Sequence, residues 1–185
     1  QGGVLQMVNH GISTGALFLL VGMIYERRHT RMIEDFGGLA KTVPVFATFF
    51  MITTLSSIGL PGLNGFVGEF LILLGAFKAH MVFGVIAATG VVLAAVYMLC
   101  MFQRVVWGVV KHEANLTLVD LTVREWVVMV PLVVLMFWIG VYPGTFLEKT
   151  EATVKHVISQ VQARQIEGYS KAFATVGTEI SREDK

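Results

Sequence analysis

The chain has 185 residues, 55% of them hydrophobic and only 15% charged, with mean hydropathy +0.69 and a formal net charge of +1. A soluble domain carries nearer 25% charged residues, so this composition excludes that class and reads as an integral membrane protein. The near-neutral balance says little about partners, a nucleic acid is not expected among them, and the single Cys100 excludes an internal disulfide or a cysteine-held cluster within the chain.

The chain opens on Gln1 and runs straight into apolar sequence, without the basic-then-apolar order of a signal peptide. It reads as the C-terminal part of a longer polypeptide. The first predicted span covers about 4–25, roughly 33 Å of helix, and Arg27-Arg28-His29 stops it. Within it, Gln6, His10 and Ser13 follow i, i+4, i+7, with Asn9 and Thr14 alongside, giving one face a polar stripe able to hold water between helices. His10 is the only ionisable side chain before Tyr25. Histidine titrates near neutrality and passes protons through two nitrogens. The plainer reading is a histidine bonded to a partner helix. Gly11 and Gly15 form a GxxxG pair, read as close helix packing.

The second apolar stretch, about 43–77, would be roughly 52 Å long as one helix, far beyond a hydrocarbon core of about 30 Å. Gly59, Pro61, Gly62 and Asn64 stand in its middle. Proline lacks an N–H and clashes inside a helix, and glycine weakens one. Two half-helices, about 43–58 and 65–77, are therefore expected, with irregular backbone between them buried in protein or lining a wet cavity. Thr53, Thr54, Ser56 and Ser57 precede the break, where their hydroxyls can bond i−4 carbonyls and bend the helix.

Glu69, just after the break, is the only ionisable side chain between Lys41 and Lys78. A carboxylate among lipid-facing helices is expensive, and such groups mark ion and proton pathways. Its structural alternative is a carboxylate pinned to free backbone N–H groups at the start of the second half-helix.

The third span is read at about 81–107 and the fourth at about 126–147, with Trp126 and Tyr142 as interfacial aromatics. Arg27, Arg28, Arg31 and Lys41 lie in one long connection and Arg104, Lys111 and Arg124 in another. The short turn between them holds only Lys78. This asymmetry places the two long connections in the cytoplasm and the tail, 148–185, on the opposite side. In the tail, Val154, Val157, Ile158 and Val161 predict an amphipathic helix over about 148–164, and beyond Gly168 the pattern fades into polar, charged sequence of the kind expected to be disordered. The fold class is thus all-α, a bundle of four spans with the second broken near Pro61. Motifs for nucleotide, flavin, haem or iron–sulfur binding are absent, as are those of a metal site.

The strings Gln6-Met7-Val8-Asn9-His10-Gly11-Ile12-Ser13-Thr14-Gly15-Ala16-Leu17-Phe18 and Tyr25-Glu26-Arg27-Arg28-His29-Thr30-Arg31 resemble motifs of the antiporter-like subunits of respiratory complex I. So do Gly59-Leu60-Pro61-Gly62 and Asn64-Gly65-Phe66-Val67-Gly68-Glu69-Phe70. The resemblance runs to about residue 147 and is nearest to the M type, the mitochondrial chain 4 equivalent. It implies that the chain supplies the last four of the family's fourteen transmembrane helices, the discontinuous one among them. The family carries lysine at the position of Glu69 in its L and N types and glutamate in the M type.

What the resemblance implies is a proton-translocating unit of NADH:quinone oxidoreductase, with Glu69 as terminal proton carrier and His10 as relay. FMN and iron–sulfur clusters would sit in partner subunits, with no cofactor or redox centre in this chain. Its partners would be the neighbouring L and N subunits, lipids and the N-terminal remainder of the same protein. Its place would be the inner membrane of a bacterium. The competing readings are a subunit of a sodium/proton antiporter or membrane-bound hydrogenase, against which glutamate at 69 argues, and a structural membrane scaffold.

Overall fold

A computed structural model describes residues 1–183, with side chains through residue 165. Every regular element among them is helical. Residues 2–146 form one compact unit and residues 147–183 another.

The first unit opens with α1 (Gly2–Arg28), which extends the expected span at both ends. After a single 3-10 turn (Ile33–Asp35) and the short α2 (Leu39–Thr42) come α3 (Pro44–Ser57) and α4 (Asn64–Ala79). α5 (Met81–Val106) follows, then a second 3-10 turn (Glu113–Asn115) and α6 (Val123–Val141). α1, α5 and α6 are long and apolar enough to cross a membrane. α3 and α4, of 14 and 16 residues, reach only about 21 and 24 Å each, so neither crosses a core of about 30 Å alone. The chain is thus a bundle of transmembrane helices with one discontinuous member.

The break has a local chemical cause. Gly59 takes a left-handed φ of 75°, its N–H bonds the Ser56 carbonyl at 3.3 Å, and the Leu60 N–H reaches back to Leu55 at 3.0 Å. This is the glycine-terminated cap that satisfies the last carbonyls of α3. Pro61 and Gly62, the latter at φ 95°, carry the chain to Asn64, where α4 starts. Of the hydroxyls before the break, Thr53 and Ser57 do bond i−4 carbonyls, at 2.8 and 2.9 Å. Thr54 Oγ1 is buried without a partner, and Ser56 turns to a neighbouring helix.

The core lies where α1, α2, α3, α5 and α6 meet, around Leu20, Leu39, Phe50, Phe102, Val106 and Met136. Phe50 and Phe102 pack with their rings tilted at 37° and 5.7 Å between ring centres. Gly11 and Gly15 face open space, so the close packing read from their spacing is not made among the described residues. Cys100 is exposed on α5.

Two boundaries differ from the sequence reading for local reasons. α6 starts at Val123 because Thr122 and Glu125 form a capping box. It ends at Val141, short of the expected 147, because Tyr142 precedes Pro143 and leaves the helical region (φ −125°, ψ 62°). The next helix, α7 (Gly144–Glu183), begins at once. It contains the amphipathic segment read at 148–164, whose Val157, Ile158 and Val161 are exposed. Beyond Gly168, where the sequence reading expects disorder, the backbone continues as helix to Glu183.

Candidate functional site

Two loops gather at one end of the unit, those following α1 and α5. The Gly38 N–H donates to the Trp107 carbonyl at 3.1 Å, and Asn115 bridges them by accepting from Arg28 Nε (2.7 Å) and donating to the Asp35 carbonyl (3.1 Å). The segments richest in Lys and Arg therefore share one end. There Arg27 makes a two-pronged pair with Glu125, both bonds 2.8 Å. Arg27 also donates to the carbonyls of Met23, Val119 and Asp120, while Glu125 accepts from the Thr122 N–H and hydroxyl. The Asp120 carboxylate accepts from Val45 N–H (2.8 Å) and Phe46 N–H (3.0 Å), capping α3 from another part of the chain. Arg27, Glu125 and Asp120 are each closely partnered.

The site predicted from sequence lies within the bundle. α1, α3, α4 and α5 enclose a cavity of about 210 Å³, lined by Gln6, Asn9, His10, Ser13, Thr14, Ser56, Ser57, Gly65, Glu69 and Tyr97, with Leu17 and Met98. At 100° per residue the α1 stripe fans around the helix, so its members divide their work. Asn9 and Ser13 are buried against α3 and α4, Gln6 is half-buried, and His10 is exposed, with Nδ1 3.1 Å from the Thr14 hydroxyl.

Asn64, the first residue of α4, ties the break to α1. The Ser13 hydroxyl is 2.7 Å from that of Ser56, Ser56 donates to Asn64 Oδ1 at 2.5 Å, and Asn64 Nδ2 donates to Ser13 at 3.2 Å, closing a ring of three side chains. Asn9 Nδ2 adds a 2.7 Å bond to the Asn64 carbonyl, and Asn9 Oδ1 is buried without a partner. Buried polar groups satisfied in a ring hold a single arrangement. Gly62 enters this anchoring only through its carbonyl, against which α6 passes at Gly140; a Cβ on Gly140 would lie 2.5 Å from Leu63 Cα.

Glu69 sits just beyond the first turn of α4 and is half-buried. Among the described residues its carboxylate has one hydrogen-bond partner, Gln6 Nε2 at 3.5 Å. No backbone N–H of the α4 start reaches it, which sets aside the structural alternative for this acid. The carboxylate instead lies against the break: a Cβ on Gly59 would stand 2.5 Å from Glu69 Oε2. A Cβ on Gly68 would strike the Gln6 side chain and stand 2.9 Å from Asn9 Nδ2, so Gly68 lets α1 bring both amides to α4.

The cavity thus unites Gln6, Asn9, His10, Ser13 and Glu69, while Gly59, Pro61, Gly62 and Asn64 shape the break beside it. Sequence reasoning passed over Tyr97. Its signal was a lone phenol in the middle of the mainly apolar α5. It also read Ser56 as a helix-bending hydroxyl, where the structure makes it a bridge between helices. Among the described residues no group of His, Cys, Asp and Glu could hold a metal ion. The chemistry available is that of one weakly bonded carboxyl group and one imidazole beside a polar space large enough for several waters, at about 30 Å³ each.

A family described as "NADH:quinone oxidoreductase/Mrp antiporter, TM" matches residues 1–95. The chain is 43% identical over 163 residues to the NADH-quinone oxidoreductase subunit M of Rhodobacter capsulatus, covering 88% of this chain and 32% of that protein. It is 42% identical over 158 residues to NADH-ubiquinone oxidoreductase chain 4 of Marchantia polymorpha, covering 85% of this chain and 32% of that one. Among solved structures it resembles a chain of "Respiratory complex I from Thermus thermophilus with bound NADH", with TM-score 0.74 and 39% identity over 79% of this chain and 30% of that one. The chain therefore spans about a third of the length of the curated relatives it matches.

Proposed function

The chain belongs to the NADH:quinone oxidoreductase/Mrp antiporter transmembrane family, and from that premise we propose that it forms the proton-exit part of a complex I membrane-arm subunit of the M, or chain 4, type. Glu69 carries the proton and His10 relays it. The observation that supports this reading is the state of Glu69: an acid in the middle of an apolar helix pair, held beside a polar cavity by a broken helix, with one hydrogen bond of 3.5 Å. A carboxyl group so weakly held gains and loses a proton without breaking the fold, whereas a structural acid in lipid is tightly paired.

The parts divide the task. The Asn64–Ser13–Ser56 ring fixes the break and so the position of Glu69. Gln6 offers its amide N–H to the charged carboxylate. His10, on the same cavity and exposed on α1, stands where groups outside this chain hand over a proton. Tyr97 contributes a hydroxyl able to orient water in the cavity. The energy comes from NADH oxidation and quinone reduction in partner subunits that carry FMN and iron–sulfur clusters. The neighbours are the L and N types, in a bacterial inner membrane, with the two arginine-rich loops on the cytoplasmic side.

Glu69→Gln in the intact complex tests the reading. The substitution keeps size and hydrogen bonding and removes the titratable proton. The expected outcome is a lower proton-to-electron ratio in sealed vesicles with the complex fully assembled. An unchanged ratio and a normal membrane potential overturn the role of Glu69.

A further inference from the structure

Arg31, Arg104 and Lys111 come from three separate stretches of chain, the loop after α1, the last turn of α5 and the loop beyond it. They line one open cavity of about 640 Å³, together with Met32, Ile33 and Glu34. The ion pairs among the described residues are Arg27–Glu125 and Glu151–Lys155, so none of these three cations is paired. Arg31 instead lies over the Tyr25 ring, 4.6 Å from its centre, which braces the guanidinium and leaves its N–H edge free. The walls are fixed by bonds between the loops: Gly38 to Trp107, Asn115 to Asp35, and His112 Nε2 3.2 Å from the Glu34 carbonyl. Three cations against one carboxylate, held around a defined space at the end of α1 and α5, form a receptor for a phosphate group.

A second cavity, of about 290 Å³, shares Arg31 and Ile33 with the first. It lies between α1, α3 and α5 and is walled by apolar side chains, Val21, Ile24, Phe46 and Phe50 among them. From Ile24 back to Leu17 it follows α1 for about 10 Å. A cationic cup opening onto an apolar groove matches the shape and charge of an anionic phospholipid.

We propose that the two cavities together bind one anionic phospholipid, with its phosphate among Arg31, Arg104 and Lys111 and an acyl chain in the groove between α1, α3 and α5. Basic pockets between membrane helices take anionic head groups in this way. The site uses neither Glu69 nor His10 and is independent of the proton-carrying role. The bound lipid would join the two loops that already bond each other and fill the gap between α1, α3 and α5.

The test uses the complete complex containing this chain, reconstituted in phosphatidylcholine vesicles doped with a photoactivatable phosphatidylglycerol or, separately, with the matching phosphatidylcholine analogue. Labelled peptides are read by mass spectrometry. Phosphatidylglycerol is expected to label the peptides around Arg31 and the groove in preference to the choline analogue. Each cation near a phosphate contributes roughly a fivefold gain in affinity, so Arg31→Gln, Arg104→Gln and Lys111→Gln together should cut the label about tenfold or more. Arg31→Lys should retain most of it. Val21→Trp, which fills the groove and leaves the cations in place, should also reduce it. Equal labelling by the two analogues on the unsubstituted complex overturns the proposal without any variant. So does a full label in Val21→Trp, which would mean an anion site with no acyl groove. A cross-link from the Arg31 loop to an acidic segment of another subunit, in place of lipid, overturns it as well.

Discussion

Two places in this unit hold acidic side chains near polar partners, and they are built in opposite ways. At the loop end Glu125 is gripped by both prongs of Arg27 and by Thr122, and Arg27 is further bonded to three carbonyls. Within the bundle Glu69 has one long bond to Gln6 and an adjoining cavity. A charge whose partners are all present is fixed in one protonation state and works as structure. A charge left nearly unpartnered in an apolar helix is costly, and on the proposed reading Glu69 is kept because its proton is put to use. The contrast makes opposite predictions for the same chemical change, a carboxylate turned into an amide.

The largest effect is expected at Glu69, on function alone. Glu69→Gln should abolish the share of proton transport carried by this subunit, while thermal stability and assembly of the complex stay as in the unsubstituted protein. The paired readout matters. A variant that loses both would place Glu69 with Glu125 as a structural acid and dissolve the contrast.

Glu125→Gln should do the reverse. Removing one member of a largely buried pair leaves the other charge without a partner and costs about 3 kcal/mol. The expected reading is a lower denaturation temperature or incomplete assembly, with a normal proton-to-electron ratio in the complexes that do form. The double variant Arg27→Met with Glu125→Met should recover much of the loss, because a buried pair replaced by apolar groups of similar size is often neutral. No recovery in the double variant would mean that the capping of α6 by Glu125, rather than the pairing, sets the effect.

Asn64→Ala lies between these extremes. It opens the ring and removes the Asn64 bonds to Ser13 and Ser56, leaving the two hydroxyls only each other, at a cost of about 2 kcal/mol. Because the same ring fixes the break, proton transport should fall too, though less than in Glu69→Gln. A stability loss with unchanged transport would separate the ring from the positioning of Glu69.

How much of this could be read from the sequence follows the range of the forces involved. The break was legible because Gly59, Pro61 and Gly62 act through their own backbone, and the excess helix length required a break somewhere. Glu69 was legible because a lone acid in an apolar run is conspicuous whatever surrounds it. The stripe on α1 was only partly legible. Periodicity put Gln6, His10 and Ser13 on one face, but the close approach of α4 at Gly68 decided that Asn9 and Ser13 turn inward and His10 stays exposed. The loop-end clamp was not legible, since Arg27 and Glu125 are 98 residues apart and Asp120 and Val45 are 75 apart. Arg27 had been read as topology, and its second role appears only once the loops are folded.

The smallest effect, and the sharpest test of the structural half of the contrast, concerns Asp120. Proline at the first position of α3 supplies no N–H, so the next two donors, Val45 and Phe46, face outward from the helix start, and the Asp120 carboxylate takes both. Asp120→Ala removes that cap and should cost about 1 kcal/mol, the usual value for a lost helix cap. Asp120→Asn keeps one acceptor oxygen and should cost less. Because the missing bonds are local, amide exchange should rise at Val45 and Phe46 and stay unchanged at the far end of α3, where Gly59 caps it independently. Proton transport should be unaffected in both variants. If exchange rises instead at Ser56 and across the break, α3 transmits its N-terminal cap to the Glu69 cavity, and the two regions are one mechanical element rather than two.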